Sequence, residues 1–356
     1  MGAAGQSARE VALRALTACE QQGAWSDGFL KKAIREAGLD SRDAALASQL
    51  CFGVLQHRML LDFDLEQFSK MPMVRMEPNI RGCLRLGAYQ LLMLDRVPDS
   101  AAVNESVKLA RKYAKNPRAA GMVNGILRNL TRGRDTLAQP DDLSIRFSHP
   151  AWLVKEFDLA LNGIGTEALL AADNERPPTM AQVNTTRCTA EQLLETLQAE
   201  GVAAQRHPWL PNCLLLSGTG DLERLDAFQK GMFYIQDGAA RLAVLAADIQ
   251  PGMSVLDACA APGGKSFASA IAMEGRGEIW SCDIHPHKER LIQAGADRLG
   301  FSGMLHTAVQ DGKQRRDEWT GRFDRVIADV PCSGLGIIRK KPDIRYKDPD
   351  VYKRQI

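Results

Sequence analysis

Apolar positions recur with different periods along this chain, and the changes of period divide it. From Ser7 to Gly133 the spacing is helical: Val11, Ala15 and Cys19 share one face, as do Leu46, Leu50 and Val54. A third helix is predicted to begin near Pro78 and to run through Ile80, Leu84, Ala88 and Leu92 before Pro98. Val103, Val107, Ala110 and Ala114 stripe a fourth, and Val123, Leu127 and Leu130 a fifth. Ser7-Ala-Arg-Glu10 has the form of a capping box at the first helix. These stripes predict a helical bundle that is a domain of its own. A polar linker, Arg134 to Asp142, follows it. Phe147-Ser-His149-Pro150-Ala-Trp152-Leu153 then leads into another helix, with His149 expected to cap and Trp152 to pack.

After Pro177-Pro178 the elements change. Thr179–Thr185 reads as strand, Thr189–Glu200 as helix and Val202–Arg206 as strand. Leu214–Ser217 reads as strand, Asp221–Gln229 as helix and Gly231–Ile235 as strand. The order βαββαβ is the ferredoxin-like arrangement shared by RNA-recognition modules. Only Phe233 and Tyr234 are aromatic in its last strand, so packing, not base stacking, is the expected role of this region.

From Asp237 onward strand and helix alternate, which predicts a parallel sheet with helices on its faces. A helix from Gly238 to Ala247 precedes the strand Ser254–Leu256. Glu278–Ile284, Met304–Gln310 and Phe323–Val330 are the further strands, and Pro286–Leu299 is a helix. Asp257, Asp283, Asp311 and Asp329 all fall at or near strand ends. In such a sheet the ligand crevice lies at the carboxyl ends of the strands, so all four are expected to face it.

The first of these strands runs into Asp257-Ala-Cys259-Ala260-Ala261-Pro262-Gly263-Gly264-Lys265, a tight turn opening a helix. Bare backbone at such a turn lets a cofactor approach closely. A phosphate-binding P-loop would need glycine where Cys259 stands, and the dinucleotide fingerprint G-x-G-x-x-G is absent. A site for S-adenosylmethionine (SAM) is the third reading, with an ordinary turn that binds nothing as the alternative. Asp283 lies nineteen residues after Gly264, an offset suited to accepting ribose hydroxyls.

Bulk properties narrow the class. The 356 residues are 45% hydrophobic and 25% charged, as in ordinary soluble domains, and can hold two or three cores. No apolar run is long enough to span a bilayer, and the first residues lack the apolar core of a signal peptide. Eight cysteines spread singly suit reduced thiols, so a cytoplasmic location is expected. The net charge of +2 says little, but its distribution says more. Between Val103 and Arg134, Lys108, Arg111, Lys112, Lys115, Arg118, Arg128, Arg132 and Arg134 face a single acid, Glu105. Such a run is often only a solvated helix face; this one-sided excess points to phosphate contact. Cys282, His285 and His287 suit a helix cap better than a metal-ligand set, and no metal site is expected.

Asp329-Val-Pro-Cys332-Ser-Gly334 closes the last strand. Carbon 5 of cytosine is a poor nucleophile, so an enzyme that methylates it first adds a thiolate to carbon 6. Cys332 and Asp329 supply a thiol and an acid beside the glycine turn; a structural cysteine is the alternative. Together the two motifs make the chain similar, over nearly its whole length, to the Sun/RsmB branch of the RNA cytosine-5 methyltransferases. The resemblance implies an all-α NusB-like RNA-binding bundle over residues 1–140. It implies linker helices and a small α+β, RNA-recognition-like domain over 141–236, and a Rossmann-like α/β methyltransferase domain over 237–356. Phe147–Leu153 looks like the branch's linker signature. By the same resemblance Cys259, Ala260, Ala261, Pro262, Gly263, Gly264, Lys265, Asp283, Asp311 and Asp329 line the SAM and cytosine site. Arg339, Lys340, Lys341 and Arg345 would then hold RNA phosphates, beside Lys108, Arg111, Lys112 and Lys115 of the bundle. The expected partner is small-subunit rRNA, and the expected state a monomer without membrane or metal.

One departure from that family pattern matters. In the family the Pro-Cys cysteine assists product release, and a later Thr-Cys-Ser cysteine is the nucleophile. Cys332 is the last cysteine here. The family-like register continues to about Asp348-Pro-Asp350, before Val351-Tyr-Lys-Arg-Gln-Ile356. The expectation is a C-terminally truncated chain with an incomplete sheet, weak SAM binding and no turnover. Two other readings stay open: a DNA-type enzyme with Cys332 as nucleophile, and a non-catalytic RNA-binding, antitermination-like protein.

Overall fold

The structure, a computed structural model, describes residues 6–116 and 118–347. Asp348-Pro-Asp350 and the segment 351–356 lie outside the described residues. The chain divides into two compact units. One holds the residues up to Pro177 together with those from Cys332 on; the other is Pro178–Pro331.

In the first unit seven helices surround one core: α1 (Ala8–Gln22), α2 (Ser26–Ala37), α3 (Ser41–Gln56), α4 (Arg58–Glu66), α5 (Pro78–Met93), α6 (Asp99–Tyr113) and α7 (Ala119–Gly133). Helix α5 is apolar on most of its circumference and lies inside the bundle, as such a helix must. Its one buried charge, Arg85, meets Asp62 through two bonds of 2.7 and 2.8 Å and Glu20 at 3.3 Å. The capping box at α1 is only half made. Ser7 Oγ accepts from Glu10 N at 3.3 Å, but the Glu10 carboxylate turns to Lys112 and Tyr113. The shorter helices α8 (Leu143–Arg146), α9 (Ala151–Ala160) and α10 (Thr166–Ala172) follow.

The second unit contains two sheets. Strands β1 (Thr179–Val183), β2 (Ala203–Arg206), β3 (Cys213–Ser217) and β4 (Phe233–Ile235) form an antiparallel sheet of order β2-β3-β1-β4, crossed by α11 (Ala190–Ala199) and α12 (Asp226–Gln229). This is the expected ferredoxin-like arrangement. The single helix predicted over Asp221–Gln229 breaks into a 3-10 turn, Leu222–Arg224, and α12. The cause is Glu200, whose carboxylate accepts from the backbone N–H groups of Asp226 and Ala227 at 2.8 and 3.0 Å and starts a fresh helix there. Phe233 and Tyr234 are buried, packing edge-on against Phe228 and Phe267, so neither ring is offered to a base.

Helix α13 (Gly238–Ala246) leads to the parallel sheet of β5 (Ser254–Asp257), β6 (Glu278–Asp283), β7 (Leu305–Val309) and β8 (Arg325–Ile327), in the order β7-β6-β5-β8. Helices α14 (Gly264–Ala272) and α15 (Pro286–Leu299) cover one face through Phe267, Ile271, Ile292 and Ala296. Strand β8 is shorter than the Phe323–Val330 run from which it was predicted. Among the described residues it pairs only with β5; Val326 stands 60% exposed on the strand and Val330, beyond its end, 55%. Among the described residues no helix is long and apolar enough to cross a membrane.

The two sheets of this unit are joined at Gly231, which has φ +66° and lies against α15. Asn184 Nδ2 donates to the carbonyls of Gly231 and Leu299 at 2.9 and 3.0 Å, while Arg298 Nη1 donates to those of Phe228 and Phe233 at 2.7 and 2.9 Å. A Cβ at Gly231 would stand 2.1 Å from the Arg298 carbonyl oxygen, which is backbone and cannot step aside. Gly231→Ala should therefore destabilise this unit by about 3 kcal/mol. Urea unfolding followed by tryptophan fluorescence reads this as a lower midpoint, and an unchanged midpoint would show that the junction is soft.

Candidate active site and nucleic-acid interface

Strand β5 lies between β6 and β8, and the turn that follows it stays tied to both. Ala258 N donates to Ile327 O at 2.9 Å and Ala260 N to Cys282 O at 2.7 Å. The Ala261–Pro262 bond is cis, and Gly263 takes φ +108°, a backbone only glycine adopts without strain. A Cβ there would also strike the Phe267 ring at 2.4 Å. Helix α14 starts at Gly264 with no side chain capping it, so its first N–H groups remain available to an anionic group.

The four strand-end carboxylates divide. Asp283 ends β6, with Oδ1 accepting from His285 N at 3.0 Å and Oδ2 3.4 Å from Lys288 Nζ. Asp311 is half-buried two residues beyond β7 and accepts from Lys313 N at 3.0 Å. Asp329 is exposed and pairs with Lys265 of the glycine turn. Asp257, expected in the crevice with them, turns away. It is completely buried on the face that Val255 also uses, two residues earlier on the strand. There Asp257 Oδ2 accepts from Ser266 Oγ at 2.8 Å, and Ser281 Oγ lies 2.7 Å from Ser266 Oγ. Lys265, Ser266 and Ser281 were not assigned these partners from the sequence, although the alternation along β5 already pointed Asp257 inward.

Two thiols near the turn are chemically quiet. Burial, followed by the charges of Asp283, Asp257 and Asp329, raises the pKa of Cys259, which stays protonated at neutral pH. Cys282 is buried and pushed up to about 11, again by burial first. It points into the sheet while the His285 and His287 rings lie 5.5 Å apart. Among the described residues, no three His, Cys, Asp or Glu side chains are grouped to hold a metal ion. Cys332 is exposed, and no other cysteine among the described residues is.

On the bundle, the basic residues of α6 and α7 differ in how far they are committed. Lys108 pairs with Glu105 at 2.6 Å, and Lys112 with Glu10 at 2.7 Å. Arg111 and Lys115 are exposed. A groove of about 420 Å³ between the two helices is lined by Asn104, Lys108, Arg111, Asn124 and Arg128.

The basic run after Cys332 is not uniformly a phosphate surface. Lys340 is exposed and Lys341 half-buried. Arg339 Nη2 binds Glu175 Oε2 at 2.9 Å. Arg345, expected among the RNA contacts, has no exposed surface at all. Its Nη1 lies 3.0–3.3 Å from the carbonyls of Gln56, Phe147 and Ser148 and from Asn174 Oδ1. A guanidinium surrounded by acceptors of its own chain cannot reach a phosphate; that expectation is corrected. His149 is likewise internal, with Nδ1 2.8 Å from Phe147 O and burial lowering its pKa. Pro150, not His149, occupies the N-cap of α9.

One chain that holds a parallel sheet with a glycine turn at its centre and carboxylates on its rim, an all-α bundle and a ferredoxin-like sheet has the parts of a multidomain methyltransferase. Three family models match in chain order: the NusB family over residues 6–132, the ferredoxin-like domain of RsmF/B-like methyltransferases over 149–223, and 16S rRNA methyltransferase RsmB/F over 244–354. A probable ribosomal RNA small subunit methyltransferase B of Bacillus subtilis is 36% identical over 352 residues, covering 97% of this chain and 78% of that protein. The ribosomal RNA small subunit methyltransferase B of Citrobacter koseri is 31% identical over 351 residues, covering 97% and 80%. The crystal structure of PH0851 shares the fold, with a TM-score of 0.71 at 21% identity over 97% of this chain and 80% of that one. The chain belongs to the RsmB family of ribosomal RNA small subunit methyltransferases.

Burial raises the pKa of Asp257 from 3.8 to about 6, against the Ser266 hydroxyl that favours its anion. In the unfolded chain the acid ionises near its ordinary value, before the folded one does. Stability is therefore full below about pH 4, falls as pH rises to about 6, and stays reduced above, by roughly 3 kcal/mol at most. Asp257→Asn removes this term while keeping an acceptor for Ser266. Relative to wild type, the variant should gain stability between pH 4 and pH 6 in denaturant titrations. A difference that is flat with pH would mean that Asp257 is not held neutral.

Proposed function

We propose that this protein methylates carbon 5 of a cytosine in small-subunit rRNA, using SAM. The observation that carries the reading is the Asp329–Lys265 pair, which sets the end of β8 against the glycine turn, with Cys332 three residues further along the chain. The residues present suit SAM. The uncapped start of α14 suits the carboxylate of its amino-acid tail, Asp283 its ribose hydroxyls, and the bare Gly263-Gly264 backbone a close approach. When bound, SAM supplies an electrophilic methyl group.

The protein's part is to make carbon 5 nucleophilic. A cysteine thiolate gives its electron pair to carbon 6, and the electrons of the C5=C6 bond become available at carbon 5. Asp329 stands at the base edge, where a proton held on ring nitrogen stabilises that charge. Once carbon 5 carries the methyl group, a base takes its remaining proton, the double bond re-forms and the thiolate leaves. In the two-cysteine scheme implied by the family pattern, Cys332 assists this last step. In a one-cysteine scheme, as in DNA-type enzymes, Cys332 would itself add to carbon 6; its exposure suits either role. The NusB-like and ferredoxin-like domains favour RNA over DNA as substrate.

Bisulfite sequencing of rRNA from a strain lacking the gene should show one lost 5-methylcytosine. An intact rRNA pattern with a changed DNA site would move the protein to the DNA class. Replacement of Cys332 by Ser separates the two schemes. If the thiol assists release, a covalent protein–RNA complex accumulates in a chain that also carries the later Thr-Cys-Ser cysteine of the family pattern; if Cys332 is the nucleophile, none forms and turnover is lost by several orders of magnitude.

The bundle would hold RNA by its phosphates. Reversing Arg111, Lys112 and Lys115 to Glu should weaken binding to any structured RNA and flatten its salt dependence, because fewer counterions are released. Lys112→Glu alone should also lower thermal stability, since Glu10 would then face a like charge. If only the cognate rRNA were lost and unrelated RNAs still bound, the patch would be a specificity element.

A further inference from the structure

The residues after Cys332 make an unusual set of contacts for a loop expected to hold nucleic acid. Leu335, Ile338 and Ile344 form a small apolar core with Trp152, Leu153 and Phe157 of α9. Arg345 brings its Nη1 to the carbonyls of Phe147 and Ser148, and the Tyr346 hydroxyl donates to Ser148 O at 3.0 Å. The Arg58 guanidinium stacks on the Tyr346 ring at 3.8 Å. Asp343 accepts from Ser26 N at 3.0 Å and Ser26 Oγ at 2.7 Å, capping the first turn of α2. Lys347 Nζ donates to the carbonyls of Gly23 and Ala24 at 2.6 and 3.0 Å. The seat is itself fixed: Ser148, fully buried with φ +55°, accepts from Leu60 N through its hydroxyl at 3.1 Å.

We propose that Leu335–Tyr346 is a strap whose receptor is the Phe147–Leu153 segment, and that Arg345 is a positioning residue for Cys332. Ile338, Pro342, Asp343, Ile344 and Arg345 are all buried, so the strap is held as an internal ligand and not as a surface loop. Its chemistry matches the seat: apolar side chains meet the face of α9, and the Arg345 and Tyr346 donors meet the backbone carbonyls of Phe147 and Ser148 where the chain turns from α8 into α9. Cys332 is the third residue before the strap, so the position of its thiol is fixed through the helical unit. The consequence for the reaction rests on the function proposed above; the strap itself does not.

The test compares wild type with Arg345→Ala, Arg345→Lys and Asp343→Asn by hydrogen exchange with mass spectrometry, RNA affinity and methyl-transfer kinetics on small-subunit rRNA. In Arg345→Ala, peptides covering 335–346 and 147–153 should exchange together at least tenfold faster, with α5 and the β5–α14 turn unchanged. RNA affinity should stay within twofold, while kcat falls at least tenfold at constant KM. Arg345→Lys, which keeps a cation among the carbonyls, should recover most of the rate. Asp343→Asn, a milder change, should loosen the same two segments to a smaller degree. Unchanged exchange in both segments would overturn the strap. A tenfold loss of RNA affinity with unchanged exchange would return Arg345 to the RNA surface. Faster exchange with unchanged kcat would remove the positioning role. Failure of the wild-type chain to methylate would count against the proposed function, and exchange would still decide the strap.

Discussion

A guanidinium withdrawn from water must find acceptors inside the protein, because an unpaired buried cation costs several kcal/mol. Arg345 meets this requirement at one nitrogen: three backbone carbonyls and one side-chain amide converge on Nη1, while Nε and Nη2 are buried without a hydrogen-bond partner among the described residues. Those acceptors come from the end of α3, the turn before α9 and the residues after α10. The arginine keeps its place only if all three stretches are in register, and it shares their carbonyls with Asn174, which donates to Phe147 O, and Tyr346, which donates to Ser148 O. The helical unit is organised round this convergence as much as round its apolar core.

In the other unit the governing constraint is steric. Strand β5 can hand the chain to α14 only through a left-handed glycine, because Phe267 occupies the space a Cβ would need. That turn leaves a helix start uncapped at the carboxyl ends of the strands, with Asp283 and Asp311 on one side and the Lys265–Asp329 pair on the other. Beneath it the Asp257–Ser266–Ser281 hydrogen bonds hold the turn from below. The result is a rim of charged groups above a buried acid, Asp257, that burial makes reluctant to ionise.

Much of this was legible in the amino-acid pattern because it is periodic. Stripes such as Val103–Val107–Ala110 mark the bundle, and alternation of strand with helix marks the parallel sheet. The breaks came where a distant side chain decides a local outcome. Glu200 restarts a helix at Asp226, twenty-six residues away, and nothing within Asp221–Gln229 announces it. Arg345 sits in a run of like charges and reads as one more basic residue. Its acceptors lie 171 to 289 positions earlier, beyond any local signal. Asp257 is different: its strand's alternation with Val255 placed it inward, but its strand-end position argued for the crevice.

The helical unit is assembled from two stretches of chain separated by the whole of Pro178–Pro331. During synthesis the bundle can therefore fold while its strap does not yet exist. At about 5–20 residues per second, roughly ten to thirty seconds pass before Asp343 and Arg345 emerge. For that interval the α9 face with Trp152 and Leu153, the start of α2 and the turn at Ser148 are finished but uncovered. A vacant seat of this kind is where a chaperone or a neighbouring nascent chain would first engage. The order of translation thus makes a later-made segment the one that closes the first-made domain.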